Sequence, residues 1–294
     1  MSRAAAACEC CGEQLAPADR FCEACGSRRP DVRDHLELAL PGAAAAVSNR
    51  GLRHQHNEDA FELARLTAAR DGVDAVLAVV CDGVSSGPRP DLASAEAARA
   101  GMTALSAALR RRSTPSAATR EAVAAAGAAV AELAARPGMP GAPACTFVSA
   151  VHTPGEVTVG WIGDSRAYWL PIISGRPGAR LTEDDSWLAV TLAHGSMSPD
   201  AAAADRRAHA LTAWLGADAP GTPRLTAIRP NGPGLVLVCT DGLWNYLPDP
   251  ERLAAALAPS AQTDPLAAAR TLVRAALIAG GRDNVTAVLL PVSG

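Results

Sequence analysis

Five short apolar runs rich in β-branched residues fix what this chain can become: 75–81 (AVLAVVC), 146–151 (TFVSAV), 157–162 (VTVGWI), 235–239 (LVLVC) and 285–290 (VTAVLL). Each is too short for an ordinary helix and is largely apolar and free of charge, which predicts strands covered on both faces. Two alanine-rich stretches, 91–112 and 116–136, lie in succession between the first run and the second, and alanine favours helix. Further helix starts are marked by Pro115 and by the pairs Ser198-Pro199, Asp249-Pro250 and Asp264-Pro265. A polar cap followed by proline suits a first turn, where a missing N–H costs little. Gly280-Gly281 predicts the stop of the last helix. Paired helices followed by neighbouring strands do not fit regular βαβ alternation. The pattern predicts an α+β sandwich with sheets in the middle and helices outside.

A chain of 294 residues has room for one large domain and an appendage, and 49% apolar residues supply its core. The net charge of -3 provides neither a basic field for nucleic acid nor a polybasic membrane anchor. The opening MSRAAAACECCGE reaches charge before any secretory apolar segment, and no run approaches the roughly 20 apolar residues of a membrane span. The expected location is the cytoplasm.

Eight cysteines are distributed unevenly, with five crowded into residues 8–25. Cys8-x-x-Cys11-Gly and Cys22-x-x-Cys25-Gly form two thiolate pairs ten residues apart, the pattern of a tetrahedral four-cysteine zinc site. Cys10 falls outside the spacing. This predicts a zinc ribbon over residues 1–29, a linker over 30–46 rich in Pro, Gly and Ala, and a main domain over 47–294. So short a ribbon cannot build a core without metal. Its role is expected to be structural, or the docking of a protein partner.

Several strand runs end in an aspartate: VVCDG at Asp82, WIGDS at Asp164 and VCTDG at Asp241, while Asp283 in GGRDN precedes the last run. A single such aspartate is explained by a turn. Four of them, with the Asn57-Glu58-Asp59 cluster, would repel one another on convergence unless a cation neutralised them. Aspartate oxygens suit hard ions, so Mg²⁺ or Mn²⁺ is expected at this site rather than zinc. Two bridged ions would activate a water for in-line attack on phosphorus, with no protein nucleophile required.

Seven segments in order, RGLRHQHNEDAF (50–61), CDGVSSG (81–87), ACTFVSA (144–150), GWIGDSRAYWL (160–170), LTEDDSW (181–187), LVLVCTDGLWNYL (235–247) and GGRDNVTAVLL (280–290), carry a family resemblance. Over about residues 47–292 the chain resembles the bacterial, type 2C metal-dependent serine/threonine protein phosphatases. The resemblance implies a central antiparallel β-sandwich flanked by helices on both sides. It implies hydrolysis of phosphoserine and phosphothreonine in proteins, opposing a serine/threonine kinase, with two Mn²⁺ or Mg²⁺ ions and a third, weaker one. By the same resemblance Asp82 bridges the two ions, the Gly83 carbonyl binds one of them, and Asp241 and Asp283 hold the other. Asp164 matches the ligand of the third ion. Glu58 and Asp59 hold waters, with Asp59 orienting the attacking one. Asn284 either shapes the final loop or is a turn residue.

The sequence departs from the family where an arginine normally grips the substrate phosphate: His54 stands at that position, with Arg53 beside it. Imidazole does not replace a bidentate guanidinium equivalently. Either Arg53 shifts inward or His54 binds phosphate as a cation. The stretch 181–215 is expected to form a helical flap beside the site. Two rival readings follow. One is a noncatalytic phosphoprotein-binding domain with a ribbon for docking. The other is a cysteine phosphatase built on Cys22 and Arg28, which lacks the strand and helix that such a phosphate loop needs.

Overall fold

The computed structural model describes residues 6–8, 10–16, 19, 21–29, 31–172, 176–218 and 222–293. All five apolar runs are strands: Ala75–Asp82, Phe147–Thr153, Glu156–Ile162, Gly234–Cys239 and Val285–Val292. They divide between two sheets. The five-stranded sheet runs in the order Arg224–Ile228, Glu156–Ile162, Phe147–Thr153, Ala75–Asp82, Asp59–Leu66. The six-stranded sheet runs Ala179–Arg180, Arg166–Pro171, Gly234–Cys239, Val285–Val292, Ala44–Asn49, His35–Leu40. Neighbouring strands are antiparallel throughout both sheets.

The inner faces meet across Ala78, Val80, Val148, Val236 and Val288. Outside the five-stranded sheet, the helices Pro90–Arg110 and Pro115–Ala134 bury Ala97, Leu105 and Ala122 against Leu77 and Phe147. Outside the six-stranded sheet, Pro265–Ile278 buries Ala269 and Leu272 against Leu237 and Leu289. Four layers result, helix on sheet on sheet on helix. The central strands are therefore covered on both faces, which is why their sequences carry no polar alternation. Thr114 and Asp264 cap their helices by accepting from Ala117 N and Ala267 N, with proline at the first helical position in each. Asp249 precedes Pro250 as expected but makes no side-chain cap bond.

The stretch 30–46, expected as a linker, is mostly strand: His35–Leu40 and Ala44–Asn49 form a hairpin at the edge of the six-stranded sheet. Alanine has little intrinsic preference for strands, but here Ala44, Ala45 and Ala46 are fully buried between a helix and the other sheet, and packing decides. Asp59–Leu66 and Arg224–Ile228 were also not expected as strands. They are the two edges of the five-stranded sheet, half-buried and interrupted by charge.

In the N-terminal ribbon, Ala6–Ala7 pairs with Gln14–Leu15 and Phe21 bridges Arg28. Among its described residues the buried cluster is Cys8, Leu15 and Cys22. The expected flap consists of two short helices, Trp187–Ala193 and Pro199–Ala203, capped by Ser186 and Ser198. It returns to the main body where Leu215–Gly216 pairs with Ala144–Cys145.

Candidate functional site

Strand register gathers the carboxylates at one end of the sandwich. Asp59 and Asp82 are direct cross-strand partners in the five-stranded sheet. In the other sheet Cys239 pairs with Ala287, so Asp241, which opens a short helix after its strand, lies at the same end as Asp283, which precedes the partner strand. Asp164 sits in the turn that carries the chain from one sheet to the other, between Glu156–Ile162 and Arg166–Pro171. Asp82, Gly83, Asp164, Asp241 and Asp283 line one cleft of about 540 Å³ together with Thr146, His209 and Trp214.

Like charges so placed are unfavourable without compensation. Burial, followed by the charges of Asp59, Asp241, Asp283 and Asp164, pushes the Asp82 carboxyl well above the usual range. Burial and then the charge of Asp241 do the same to Asp164. Asp59 and Asp241 are both pushed up to about 7, chiefly by burial. Oδ1 of Asp59 and Oδ1 of Asp241 are buried without a hydrogen-bond partner. Orphaned carboxylate oxygens in an all-oxygen cleft are what hard divalent cations satisfy, so these residues fit Mg²⁺ or Mn²⁺. Among the described residues, the only group with three or more donor atoms all within 4.8 Å of one another is the four-cysteine cluster. The aspartates spread more widely along the cleft, which suits more than one ion.

Hydroxyls in the strands or next to their ends hold this arrangement. Asp59 Oδ2 accepts from Thr240 Oγ1 at 2.9 Å and Thr286 Oγ1 at 2.7 Å. Thr146 Oγ1 accepts from the Asp82 backbone N–H at 3.1 Å. Sequence reasoning did not single out these threonines. The signal is a hydroxyl in or directly beside an otherwise apolar run, and Thr146, Thr240 and Thr286 are all buried. The glycines after Asp82 and Asp241 stand where the backbone is crowded. Neither has a positive φ, and each is required by close packing: a Cβ on Gly242 would lie 1.9 Å from the Asn284 carbonyl oxygen, and one on Gly83 2.4 Å from that of Pro90.

Asn284 organises the loop before Asp59. Its Oδ1 accepts from Glu58 N at 2.7 Å, and its Nδ2 donates to the carbonyls of Arg50 at 2.7 Å and His56 at 3.0 Å. The Glu58 carboxylate accepts from Ser85 Oγ, across the mouth of the cleft. His54 Nε2 lies 3.1 Å from Oδ1 of Asp283, one of the carboxylates of the cleft, whereas Arg53 is exposed; neither His54 nor Arg53 itself lines the cleft. From the flap, His209, Leu211 and Trp214 form one wall. The anchor of the Asp164 turn is a second unforeseen feature: Trp244 Nε1 donates to the Asp164 carbonyl at 2.9 Å, and Arg166 lies 3.6 Å over the Trp244 ring while paired with Asp184.

At the other end of the chain, Cys8 and Cys25 have their Sγ atoms 3.6 Å apart, and those of Cys11 and Cys22 are 3.5 Å apart. The two knuckles are built alike, with Gly12 N donating to Cys8 O and Gly26 N to Cys22 O, each at 2.8 Å. A hydrogen bond from Ser27 brings the Cys25 thiol down to about 6, which favours the thiolate that metals bind. Cys10 is exposed and outside the cluster.

The sequence profile of the protein phosphatase 2C family matches residues 50–277. No curated protein matches the chain. Among solved structures, the serine/threonine phosphatase Stp1 from Staphylococcus aureus superposes with a TM-score of 0.69 at 23% identity, covering 88% of this chain and 98% of its own. The PPM Ser-Thr phosphatase MsPP from Mycobacterium smegmatis, in complex with cacodylate, gives 0.66 at 28% identity, covering 86% and 99%. The catalytic domain of the serine threonine protein phosphatase PstP, in complex with two manganese ions, gives 0.64 at 26% identity, covering 85% and 98%. With the family profile spanning most of the chain and the same sandwich in these structures, the chain belongs to the protein phosphatase 2C family.

Proposed function

We propose that this chain is a metal-dependent protein serine/threonine phosphatase whose site is the carboxylate cleft. The observation that carries the reading is the pair of buried, unpartnered carboxylate oxygens on Asp59 and Asp241, the latter lining a cleft together with Asp82, Gly83, Asp164 and Asp283. Asp82, the Gly83 carbonyl, Asp241 and Asp283 would hold two ions, Mn²⁺ or Mg²⁺, and Asp164 a third. When bound, such ions supply positive charge that stabilises phosphoryl transfer and makes a water acidic enough to attack phosphorus.

The chain's own residues do the rest. Asp59, held by Thr240 and Thr286 through Oδ2, keeps Oδ1 free to accept a proton from the attacking water and to orient it. Glu58 steadies the 83–87 loop through Ser85. His54, in contact with Asp283, takes the phosphate-gripping role rather than the exposed Arg53. The flap wall of Leu211 and Trp214 excludes water from one side of the cleft and meets the residues flanking the phosphorylated side chain. The substrates are phosphorylated proteins, in opposition to a serine/threonine kinase.

The four cysteines form a structural zinc site in a ribbon over residues 1–29, which serves to dock a protein partner. The phosphatase domain begins at the hairpin that opens with His35. No helix of the described residues is long and apolar enough to cross a membrane. Unpaired thiols crowded into a metal-type cluster suit the reducing cytoplasm, where we place the protein.

The test is phosphate release from a phosphothreonine peptide with Mn²⁺, with chelator, and with Asp241→Asn. Turnover that needs the ion and is lost in the substitution is the expected result. Peptide binding without turnover under any metal would overturn it in favour of a noncatalytic receptor. Metal analysis should find zinc in the wild type and lose it in Cys11→Ser.

A further inference from the structure

Between the second cysteine knuckle and the strand His35–Leu40 lies a short collar, described at residues 28, 29 and 31–34, outside the stretch that matches the family. Its contacts lead into the site. The backbone of Arg28 bridges to Phe21 within the second cysteine knuckle, so the ribbon's fold fixes where Arg28 stands. Its guanidinium grips the Asp34 carboxylate with two bonds, Nη1 to Oδ2 and Nη2 to Oδ1, the latter at 2.8 Å. Asp34 closes a capping box with Asp31 at the 3-10 turn Val32–Asp34, and its Oδ1 lies 3.4 Å from Arg50 Nε. Arg50 in turn donates from its backbone to Asp34 O at 2.9 Å and from Nη1 to the carbonyl of His54. An unbroken chain of charged contacts thus runs from knuckle to phosphate loop.

Arg33 makes a second, separate connection. Its Nη2 donates to the carbonyl of Asp59 at 2.9 Å and its Nη1 to that of Asp91 at 3.0 Å, while its own carbonyl accepts from Asn57 Nδ2 at 2.9 Å. One planar guanidinium therefore ties the start of the Asp59 strand to the start of the helix Pro90–Arg110, whose Pro90 packs against Gly83. Asn284 holds the 50–58 loop from the core side, and the collar holds it from the other.

We propose that Arg33 and Asp34 are positioning residues for the 50–59 loop, and that Arg28 makes this hold depend on the folded ribbon. The inference rests on the phosphatase reading for its kinetic meaning. Arg33 acts on Asp59 and so on kcat. The Arg28–Asp34–Arg50 chain acts on His54 and so on KM. Misplacing a catalytic group by about 1 Å can cost roughly a hundredfold in rate, so loss of such straps is measurable.

The experiment uses the full chain with Mn²⁺ and compares wild type, Arg33→Ala, Arg33→Lys, Arg28→Ala and, as a surface control, Arg99→Ala. It reads kcat and KM on a phosphothreonine peptide, the Kd of inorganic phosphate, and amide hydrogen exchange across residues 50–59. Arg33→Ala should lower kcat by about tenfold or more, with partial recovery in Arg33→Lys, which keeps a cationic donor. Arg28→Ala should raise KM and weaken phosphate binding by several-fold at nearly unchanged kcat. Both alanine variants should speed exchange across the 50–59 loop relative to the control. Folded variants within about twofold of wild type in all these quantities would overturn the proposal. If Arg33→Ala does not fold, the Arg28→Ala split of KM from kcat decides. If the wild type itself has no turnover, the phosphatase reading falls, and loop exchange still decides for or against the collar.

Discussion

In the phosphatase reading proposed above His54 grips the substrate phosphate, and its imidazole reaches Asp283 at 3.1 Å. An imidazole offers one donor toward an incoming phosphate where a guanidinium offers a fork. Replacing His54 with Arg should therefore lower KM for a phosphopeptide by about tenfold, equivalent to about 1.4 kcal/mol, and His54→Ala should raise it. Steady-state kinetics on the two variants checks both directions. An unchanged KM in both would remove His54 from the phosphate site and return attention to Arg53. His54 and Arg53 are adjacent in sequence, and only the path of the loop distinguishes them. That path is set by Asn284, more than 200 residues away, which binds the Arg50 and His56 carbonyls.

Among elements, the joints carry the informative energetics. The turn bearing Asp164 is anchored by Arg166 and Asp184, whose side chains are 9% and 11% exposed and whose guanidinium also covers Trp244. Removing one partner leaves a buried charge unpaired, so Asp184→Ala should destabilise the protein by about 3–5 kcal/mol in urea unfolding. The pair joins the flap's leading segment to the strand Arg166–Pro171, so part of the loss should appear as local opening of the flap. The opening hairpin is fastened differently. Arg270 on the last helix donates to Glu37, and this, ahead of the contribution from His35, holds the Glu37 carboxyl at about 2 against an ordinary 4.5. A depressed carboxyl stabilises the fold above its unfolded value, and the gain disappears as pH falls through about 2. Glu37→Gln should therefore lower the unfolding temperature at neutral pH, with the difference from wild type vanishing in acid. The hairpin itself was hidden in the sequence because Ala44–Asn49 is a strand of small residues, which read as linker until sheet and helix enclose them.

At the scale of the whole molecule, fold and charge are in conflict until cations arrive. Two sheets deliver five aspartates to one end, and burial holds Asp59 and Asp241 near 7 and pushes Asp82 and Asp164 well above the usual carboxylate range. An Mn²⁺ ion that binds the folded chain and not the unfolded one should, at a hundredfold excess over its dissociation constant, add about 2.7 kcal/mol. Thermal unfolding with and without Mn²⁺ measures this, and Asp241→Asn should shrink the shift. The strand runs, the paired helices, the identity of the clustered carboxylates and the two cysteine knuckles are legible in the amino-acid order. Each of those is written in local composition and spacing. Tertiary structure alone decided that His54 and not Arg53 meets the carboxylates, that buried threonines hold Asp59, that 35–49 is sheet, and that the collar reaches the site. These depend on contacts between residues far apart in the chain, whose partners are chosen by strand register and packing rather than by any local pattern.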